Sequence, residues 1–128
     1  MAYNQFMLIK TRNFSRTSLD HFCYLQRLSF SILEQAAAEL ELGETEKDVA
    51  HKLVKRYRKG GASSFFHLPV VLFGDRTALP GDWLVGKFFP KSKSLQHNDS
   101  VILDAAPLFD GYLVDTSYSF CFGESDTH

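Results

Sequence analysis

Apolar residues recur at helical spacing along the first part of the chain. Between Thr17 and Leu42 they fall three or four positions apart, which predicts a long amphipathic helix. Thr17 or Ser18 is available as the N-cap, and Gly43 follows the predicted end. The apolar face of this helix is formed by Leu25, Leu28, Ile32, Leu33, Ala36 and Leu40.

A second helix is predicted directly after Gly43. Thr45 is followed three residues later by Asp48, which is typical of a capping box with the shorter acid. The apolar face consists of Val49, Leu53 and Tyr57. The pattern stops at Gly60 and Gly61, so we expect a helix of about 15 residues. Acidic residues at Glu44, Glu46 and Asp48 precede a basic run from Lys52 to Lys59, an order that favours the helix dipole and predicts a solvated face.

The pattern then changes to one typical of strands and loops. The run from Phe65 to Phe73 is β-prone and predicts one strand, interrupted by Pro69 and closed by Gly74. From Arg76 to Asp99 no period is sustained, and prolines, glycines and lysines are scattered through the segment. We expect a loop-rich excursion there, with at most one short strand.

Two strands near the end of the sequence predict a β-hairpin. They are Ser100–Ala106 and Tyr112–Phe122, and the connecting segment contains the turn signal Asp110-Gly111. The whole order is helix, helix, strand, long loop and hairpin. This order indicates one α+β unit.

Composition and charge agree with a single globular domain. The chain has 128 residues, of which 45% are hydrophobic and 14% aromatic. Its formal charge of -1 argues against binding to nucleic acid or to an anionic membrane. No stretch approaches the ~18 apolar residues of a membrane span, and Met1 to Lys10 lacks a signal-peptide pattern. We therefore expect a cytoplasmic protein, in which Cys23 and Cys121 are ordinary buried or half-buried thiols.

Two aspartates stand out in the predicted hairpin. Asp104 interrupts an apolar strand, where an unpaired carboxylate is costly and is usually neutralised, paired or metal-bound. Asp115 lies eleven residues later, and this odd separation places both side chains on one face of the sheet. With a four-residue loop, Leu108 to Gly111, the two would be directly opposed at ~5 Å between Cβ atoms; with a two-residue Asp-Gly turn they would be diagonal neighbours at ~7 Å.

Two like charges so placed repel each other unless a cation or a shared proton lies between them. Carboxylates suit hard or borderline divalent metals, and two ions ~3.5 to 4 Å apart can together activate water and polarise a carbonyl. The alternative is that either aspartate only accepts hydrogen bonds from a turn or a helix end. No His or Glu ligand is evident nearby in the sequence.

The run from Ser100 to Ser117 resembles the metal-binding hairpin of the pita-bread metallopeptidases. This family includes methionine aminopeptidase, aminopeptidase P, prolidase and the non-peptidase creatinase. The specific part is the spacing of Asp104 and Asp115, with Gly111-Tyr112 ahead of the second aspartate. The segment from Gly43 to Ala50 also resembles the family's turn into its second helix, and the likeness extends from Thr17 to Phe122.

The resemblance implies an α+β, partial pita-bread (creatinase/aminopeptidase-like) fold, with two helices followed by an antiparallel β-hairpin sheet. Residues 17–128 would form the amino-terminal portion of the catalytic domain, and residues 1–16 an N-terminal extension. Asp104 would bind one divalent metal ion and Asp115 would bridge two, the ions being Mn, Co, Zn or Fe. The implied function is a metal-dependent aminopeptidase or dipeptidase acting on peptides of the Xaa-Pro type. A partial domain would leave one sheet face exposed, including Leu113 and the hydrophobic strand Tyr112–Phe122. Large apolar patches drive association, so we expect a homo-oligomer.

Other features of the sequence leave the activity open. The family's remaining ligands, one His and two Glu, belong to later strands, so we expect them to be missing and the chain to be inactive alone. Many members also carry a His in the loop after the first strand, where this sequence has Leu79–Gly81 without one. His67 and His97 are either surface or structural residues or replacements for it. Trp83, Phe88 and Phe89 either line a pocket or contact a partner, or they anchor the loop to the core. The alternative function is a catalytically dead protein-binding module, or a gene fragment.

Overall fold

The computed structural model describes residues 15–78 and 84–123. Two helices come first, α1 at Arg16–Ala38 and α2 at Glu46–Lys59. Short 3-10 helices lie at Gly74–Ala78 and Val85–Phe88. The strands are β1 at Ser64–Phe65, β2 at Val70–Phe73, β3 at Ser100–Ala105, β4 at Pro107–Phe109, β5 at Tyr112–Leu113 and β6 at Thr116–Cys121.

Helix α1 is the predicted long amphipathic helix, with different ends. Its N-cap is Ser15, whose hydroxyl accepts a hydrogen bond from the Ser18 amide at 3.1 Å, so the expected cap at Thr17 or Ser18 is wrong. The helix also ends at Ala38, before Leu42. Beyond it the chain turns through Gly43, whose φ is +87° and whose amide bonds to the Leu95 carbonyl. This hydrogen bond connects the turn after α1 to the long loop.

Helix α2 begins with the predicted capping box. The Thr45 hydroxyl accepts from the Asp48 amide at 3.1 Å, and the Asp48 carboxylate accepts from the Thr45 amide at 3.0 Å. Its buried face carries the predicted apolar residues, Val49, Leu53 and Tyr57. The basic run is mostly exposed, as predicted. Glu46 is the exception on the acidic side, because it is completely buried.

The strands form two antiparallel three-stranded sheets. The main sheet has the order β2-β3-β6, and the small sheet has the order β1-β4-β5. The prediction of one strand over 65–73 is therefore wrong. Residues 66–69 leave the small sheet after the Phe66 amide bonds to the Ala106 carbonyl, and Pro69 has no amide to continue a ladder. The chain enters the main sheet only at Val70.

The predicted hairpin is present, but each arm is divided between the two sheets. β3 pairs with β6 and β4 pairs with β5 in one continuous register, and β1 adds to the outer side of β4. The turn contains two residues, Asp110 and Gly111, with φ of 51° and 82°. Positive φ at both positions is the type I′ conformation that Asp-Gly favours. The Asp110 carboxylate lies 3.1 Å from Nε2 of His21, so the turn is in contact with α1.

Both helices pack on one face of the main sheet. Val101, Leu103 and Ala105 alternate along β3 into this core, which also contains buried residues of α1 and α2. Ile102 and Asp104 lie between them and project from the opposite face. The core therefore holds β3 in an orientation that presents Asp104 on the sheet face away from the helices.

The described part of the long loop contains the two 3-10 helices and one isolated bridge, between Ser94 and Thr45. Leu79–Gly81, Trp83, the residues after Gly123 and the first 14 residues lie outside the described part, and with them most of the proposed N-terminal extension.

Cys23 and Cys121 are free and exposed, so the expectation of buried thiols is wrong. Cys121 lies on β6 at a position whose side chain faces away from the core, in register with Ser100. Within the described residues, neither helix combines the length and apolar character needed to cross a bilayer.

Candidate metal centre

Three side chains that could bind a metal meet at one end of the main sheet. They are His67, Asp104 and Asp115, and one ligand atom from each lies within 4.8 Å of the other two. Asp104 of β3 pairs with Ser117 of β6, and Asp115 precedes Ser117 by two residues. The aspartates are therefore diagonal neighbours on one face, which is the arrangement expected for the two-residue Asp-Gly turn rather than for the four-residue loop.

His67 joins the aspartates because β2 pairs with β3. Val70 is opposite Asp104, so the segment that leads into β2 passes beside that carboxylate. His67 Nε2 lies 3.6 Å from Asp104 Oδ1. No histidine near the aspartates was evident from the sequence, but the structure brings His67 beside Asp104. In the sequence, His67 lies three residues before the start of β2. This position predicts a contact with Asp104 only once β2 is known to pair with β3.

The other candidate histidine lies elsewhere. The ring of His97 packs against Gly123, where an added Cβ would come within 2.4 Å of it. It is not a member of the cluster that the described residues form. Of the two histidines named from the sequence, only His67 reaches the aspartates.

The Asp104 carboxylate is in an environment that disfavours its charge. Its Oδ1 atom is buried and makes no hydrogen bond within the described part of the chain. Burial raises the pKa of Asp104 above its ordinary value, and the neighbouring Asp115 carboxylate adds to the rise, while His67 and the Ser117 hydroxyl oppose it. Asp115 is exposed. A cation beside these two carboxylates would relieve both the desolvation and the repulsion.

The donor set fits a divalent metal ion. One imidazole nitrogen and two carboxylate oxygens are ligands that zinc and related ions accept, and catalytic sites commonly use three protein ligands with one position left open. Asp104 Oδ1, which makes no hydrogen bond within the described residues, belongs to this cluster and lies 3.6 Å from His67 Nε2. When bound there, an ion would polarise a carbonyl and lower the pKa of a bound water.

A buried polar network holds the base of Asp115. The Thr116 hydroxyl lies 2.6 Å from the Ser29 hydroxyl of α1, and the Tyr57 hydroxyl of α2 donates to the Ser29 carbonyl at 3.0 Å. Gln26 of α1 also donates to the Asp115 carbonyl, at 3.3 Å. Both helices therefore fix the backbone from which Asp115 projects.

A cavity of about 850 Å³ adjoins the cluster on the side of His67. Its lining is mostly apolar and includes Leu68, Val85 and the two loop aromatics Phe88 and Phe89. The aromatics thus line a pocket, as one of the two sequence alternatives had it. Phe89 is also 59% exposed at the rim.

Glu46 lies behind the cavity lining and holds, through Arg76 and Lys91, the segment that carries Phe88 and Phe89. Its carboxylate accepts from the amides of Phe73 and Lys91 and from Arg76 Nε, at 2.8 to 3.0 Å. Arg76 Nη2 in turn donates to the carbonyls of Lys87 and Phe89. The sequence placed Glu46 among surface charges, because an acid in a first helical turn is usually solvated. Its partner Arg76 is partly buried and lies thirty residues later, a separation at which the sequence shows no periodic pattern.

Comparisons with solved structures confirm the fold. The chain resembles an X-Pro aminopeptidase from Thermotoga maritima (TM-score 0.73, 23% identity), covering 88% of this chain and 31% of that one. It also resembles a prolidase from Pyrococcus furiosus (TM-score 0.69, 20% identity), covering 83% of this chain and 31% of that one. An Xaa-Pro dipeptidase from Bacillus anthracis has a TM-score of 0.66 and 27% identity, over 79% of this chain and 27% of that one.

The chain thus spans less than a third of the length of these three structures. They share the predicted partial pita-bread architecture, with two helices followed by antiparallel strands. A comparison with curated protein sequences gave no match. The model of metallopeptidase family M24 matches residues 24–128, which include all three residues of the cluster. The chain belongs to metallopeptidase family M24.

Proposed function

We propose that this chain forms part of a metal-dependent peptidase of the Xaa-Pro type, in which Asp104 and Asp115 hold a divalent metal ion. The observation that supports this most directly is the pair of carboxylates on one sheet face, within 4.8 Å of each other and of His67, with a buried Asp104 Oδ1 that makes no hydrogen bond within the described residues. Family membership and the likeness to X-Pro aminopeptidase and Xaa-Pro dipeptidase structures point to the same chemistry.

In this proposal the residues of the chain have separate tasks. Asp104 and Asp115 hold the ion at the open face of the sheet, and the Ser29 and Tyr57 network keeps the Asp115 backbone in place. The apolar cavity beside His67 provides room for a side chain of the peptide next to the ion. Manganese, cobalt, zinc and iron all suit this donor set.

We do not expect this chain alone to hydrolyse peptides. It covers less than a third of the solved enzymes that it resembles, and a peptidase must place the peptide and the activated water together with good geometry. The purified chain with manganese or cobalt should show no turnover of Xaa-Pro peptides or of peptides with an N-terminal Met. Turnover that Asp115→Asn abolishes would show that the chain is an enzyme by itself.

The metal site is tested by calorimetric titration with manganese. The parent chain should bind, and Asp104→Asn and Asp115→Asn should each weaken binding at least tenfold, because each removes a charged ligand. Asp110→Asn is the matched control: it removes an exposed carboxylate of the same hairpin, and Asn tolerates the positive φ of 51° at that position. If all four proteins bind manganese equally, the two aspartates do not form a site.

The exposed apolar surface favours a second function, a protein-binding module without catalysis. Phe66, Leu68 and Val85 are each 69% exposed or more, and they lie together around the cavity and the segment before β2. Patches of this kind often mark interaction sites. This function would be favoured if the chain bound no divalent ion in the titration and a chelator left its unfolding temperature unchanged.

A further inference from the structure

We propose that His67 is the third protein ligand of this metal ion and binds it through Nε2. The chain would then carry a site of one histidine and two carboxylates built entirely from residues 67–115. This inference rests on the proposed function, because it assumes that Asp104 and Asp115 hold the ion. It adds a ligand from outside the hairpin.

The hydrogen bond on the other ring nitrogen determines which tautomer faces the aspartates. His67 Nδ1 lies 2.9 Å from the backbone carbonyl of Leu68. A carbonyl oxygen only accepts hydrogen bonds, so Nδ1 carries the proton and donates. In the neutral ring Nε2 then has a free lone pair. Metal-binding histidines are oriented in this way, with the second nitrogen donating to a carbonyl or a carboxylate.

With a neutral ring, the lone pair of Nε2 faces another acceptor. It faces Asp104 Oδ1 at 3.6 Å, and that oxygen is buried and makes no hydrogen bond within the described residues. Two acceptors held together without a donor are unfavourable in a partly buried site. A cation between them removes the conflict, and it satisfies both atoms at once.

The spacing suits a metal ion. At ligand distances of about 2.1 Å, atoms 3.6 Å apart subtend an angle of about 120° at the ion, close to the tetrahedral and trigonal values. Asp115 is exposed, and all three ligand atoms lie within 4.8 Å of one another. The exposed Asp115 side chain would complete the set by rotation towards the other two ligand atoms.

The proposed set also predicts which ions bind. Imidazole nitrogen favours zinc and cobalt, whereas all-carboxylate sites favour magnesium, calcium and manganese. The parent chain should therefore prefer zinc to magnesium strongly. Removal of His67 should reduce zinc affinity by ten- to a hundredfold and leave magnesium affinity nearly unchanged. A residue with only a structural role would change both affinities together.

The experiment measures zinc and magnesium affinities of the whole chain by calorimetric titration. The variants are His67→Ala, Asp115→Asn and, as the matched control, His51→Ala. His51 is an exposed histidine on α2 that lines the same cavity and is not part of the cluster. In parallel, long-range proton-nitrogen NMR spectra of the histidine rings are recorded with and without zinc. Coordination should shift the Nε2 resonance of His67 and keep Nδ1 in its protonated state.

The outcomes separate this inference from the proposed function. Selective loss of zinc affinity in His67→Ala, with a shifted His67 Nε2 resonance and no effect of His51→Ala, supports the inference. If Asp115→Asn abolishes binding while His67→Ala binds zinc as the parent does, the aspartate site stands and His67 is not a ligand. In that case a proton on Nε2 accounts for the contact with Asp104. If Asp115→Asn also binds normally, both ideas fail.

Discussion

At the scale of single residues, Asp104 and His67 show which parts of a site a sequence reveals. Asp104 was found because a carboxylate in an apolar strand needs an explanation, and Asp115 followed from the parity of positions in a hairpin. His67 lies in neither pattern. It reaches Asp104 only because β2 pairs with β3, a contact between segments more than thirty residues apart that no local period encodes.

Asp104→Asn should stabilise the metal-free chain. The pKa of Asp104 is raised, so its ionised form opposes folding, and the amide removes that charge along with its repulsion of Asp115. In chelator at neutral pH, the free energy of unfolding should rise by on the order of 1 kcal/mol, which is measured as a higher unfolding temperature. Manganese should reverse the order, since an ion bound only by the folded chain stabilises the parent more.

The same substitution has a defined pH dependence. A carboxyl whose pKa is raised by folding contributes most stability below its unfolded value and loses that contribution as the pH rises through the folded value. The advantage of Asp104→Asn should therefore shrink as the pH falls towards 3.8, the unperturbed value, where the parent becomes protonated. Thermal unfolding of the parent and of Asp104→Asn, measured from neutral pH down to 3.8, tests this pH dependence. A stability difference that is constant with pH would mean that the charge of Asp104 is not the cause.

At the scale of elements, local chemistry was informative in two places where the partners are close in sequence. The capping box of α2 and the Asp-Gly turn were predicted correctly, because each is completed within four residues. The ends of α1 and the division of the 65–73 run were not. The start of α1 was missed although its cap is local, with Ser15 accepting from the Ser18 amide. The division of the 65–73 run involves a distant group, the Ala106 carbonyl, which accepts from the Phe66 amide.

Gly111→Ala should destabilise the hairpin through its backbone alone. Gly111 has a φ of +82°, and no atom lies within 4 Å of an added Cβ. We expect a loss of about 1 kcal/mol, the cost of a left-handed conformation for a residue with a side chain. Gly86→Ala is the control, because its site is equally open and its φ is not positive. Urea denaturation should show a lower midpoint for Gly111→Ala only; equal midpoints would argue against the type I′ turn.

At the scale of the whole molecule, the exposed apolar surface is only partly where the sequence predicts it. Leu113 is 42% exposed, as expected. The outward positions of β6, however, are Ser117, Ser119 and Cys121, while Tyr118 and Phe120 pack against the core. One group of exposed apolar side chains lies around the cavity, beside the edge strand β2 of the main sheet. It consists of Phe66, Leu68, Leu84, Val85 and Phe89.

We expect the chain to self-associate through this surface. Exposed apolar patches next to an open sheet edge drive association, so sedimentation at high concentration should show dimers or larger species. The double substitution of Phe66 and Leu68 by Ser should shift the population towards monomer. Leu42→Ser, at a 63% exposed leucine away from the cavity, should not. A parent chain that remains monomeric at every concentration would contradict this prediction.

The buried Glu46 carboxylate has a consequence for how the molecule opens. It joins the start of α2, the end of β2 and the segment that forms the cavity wall, so these three parts share one set of hydrogen bonds. The amides of Phe73 and Lys91 point at the same side chain from positions far apart in the chain. Their protons should exchange with solvent at the same slow rate, because neither can be released unless the whole unit opens in one step.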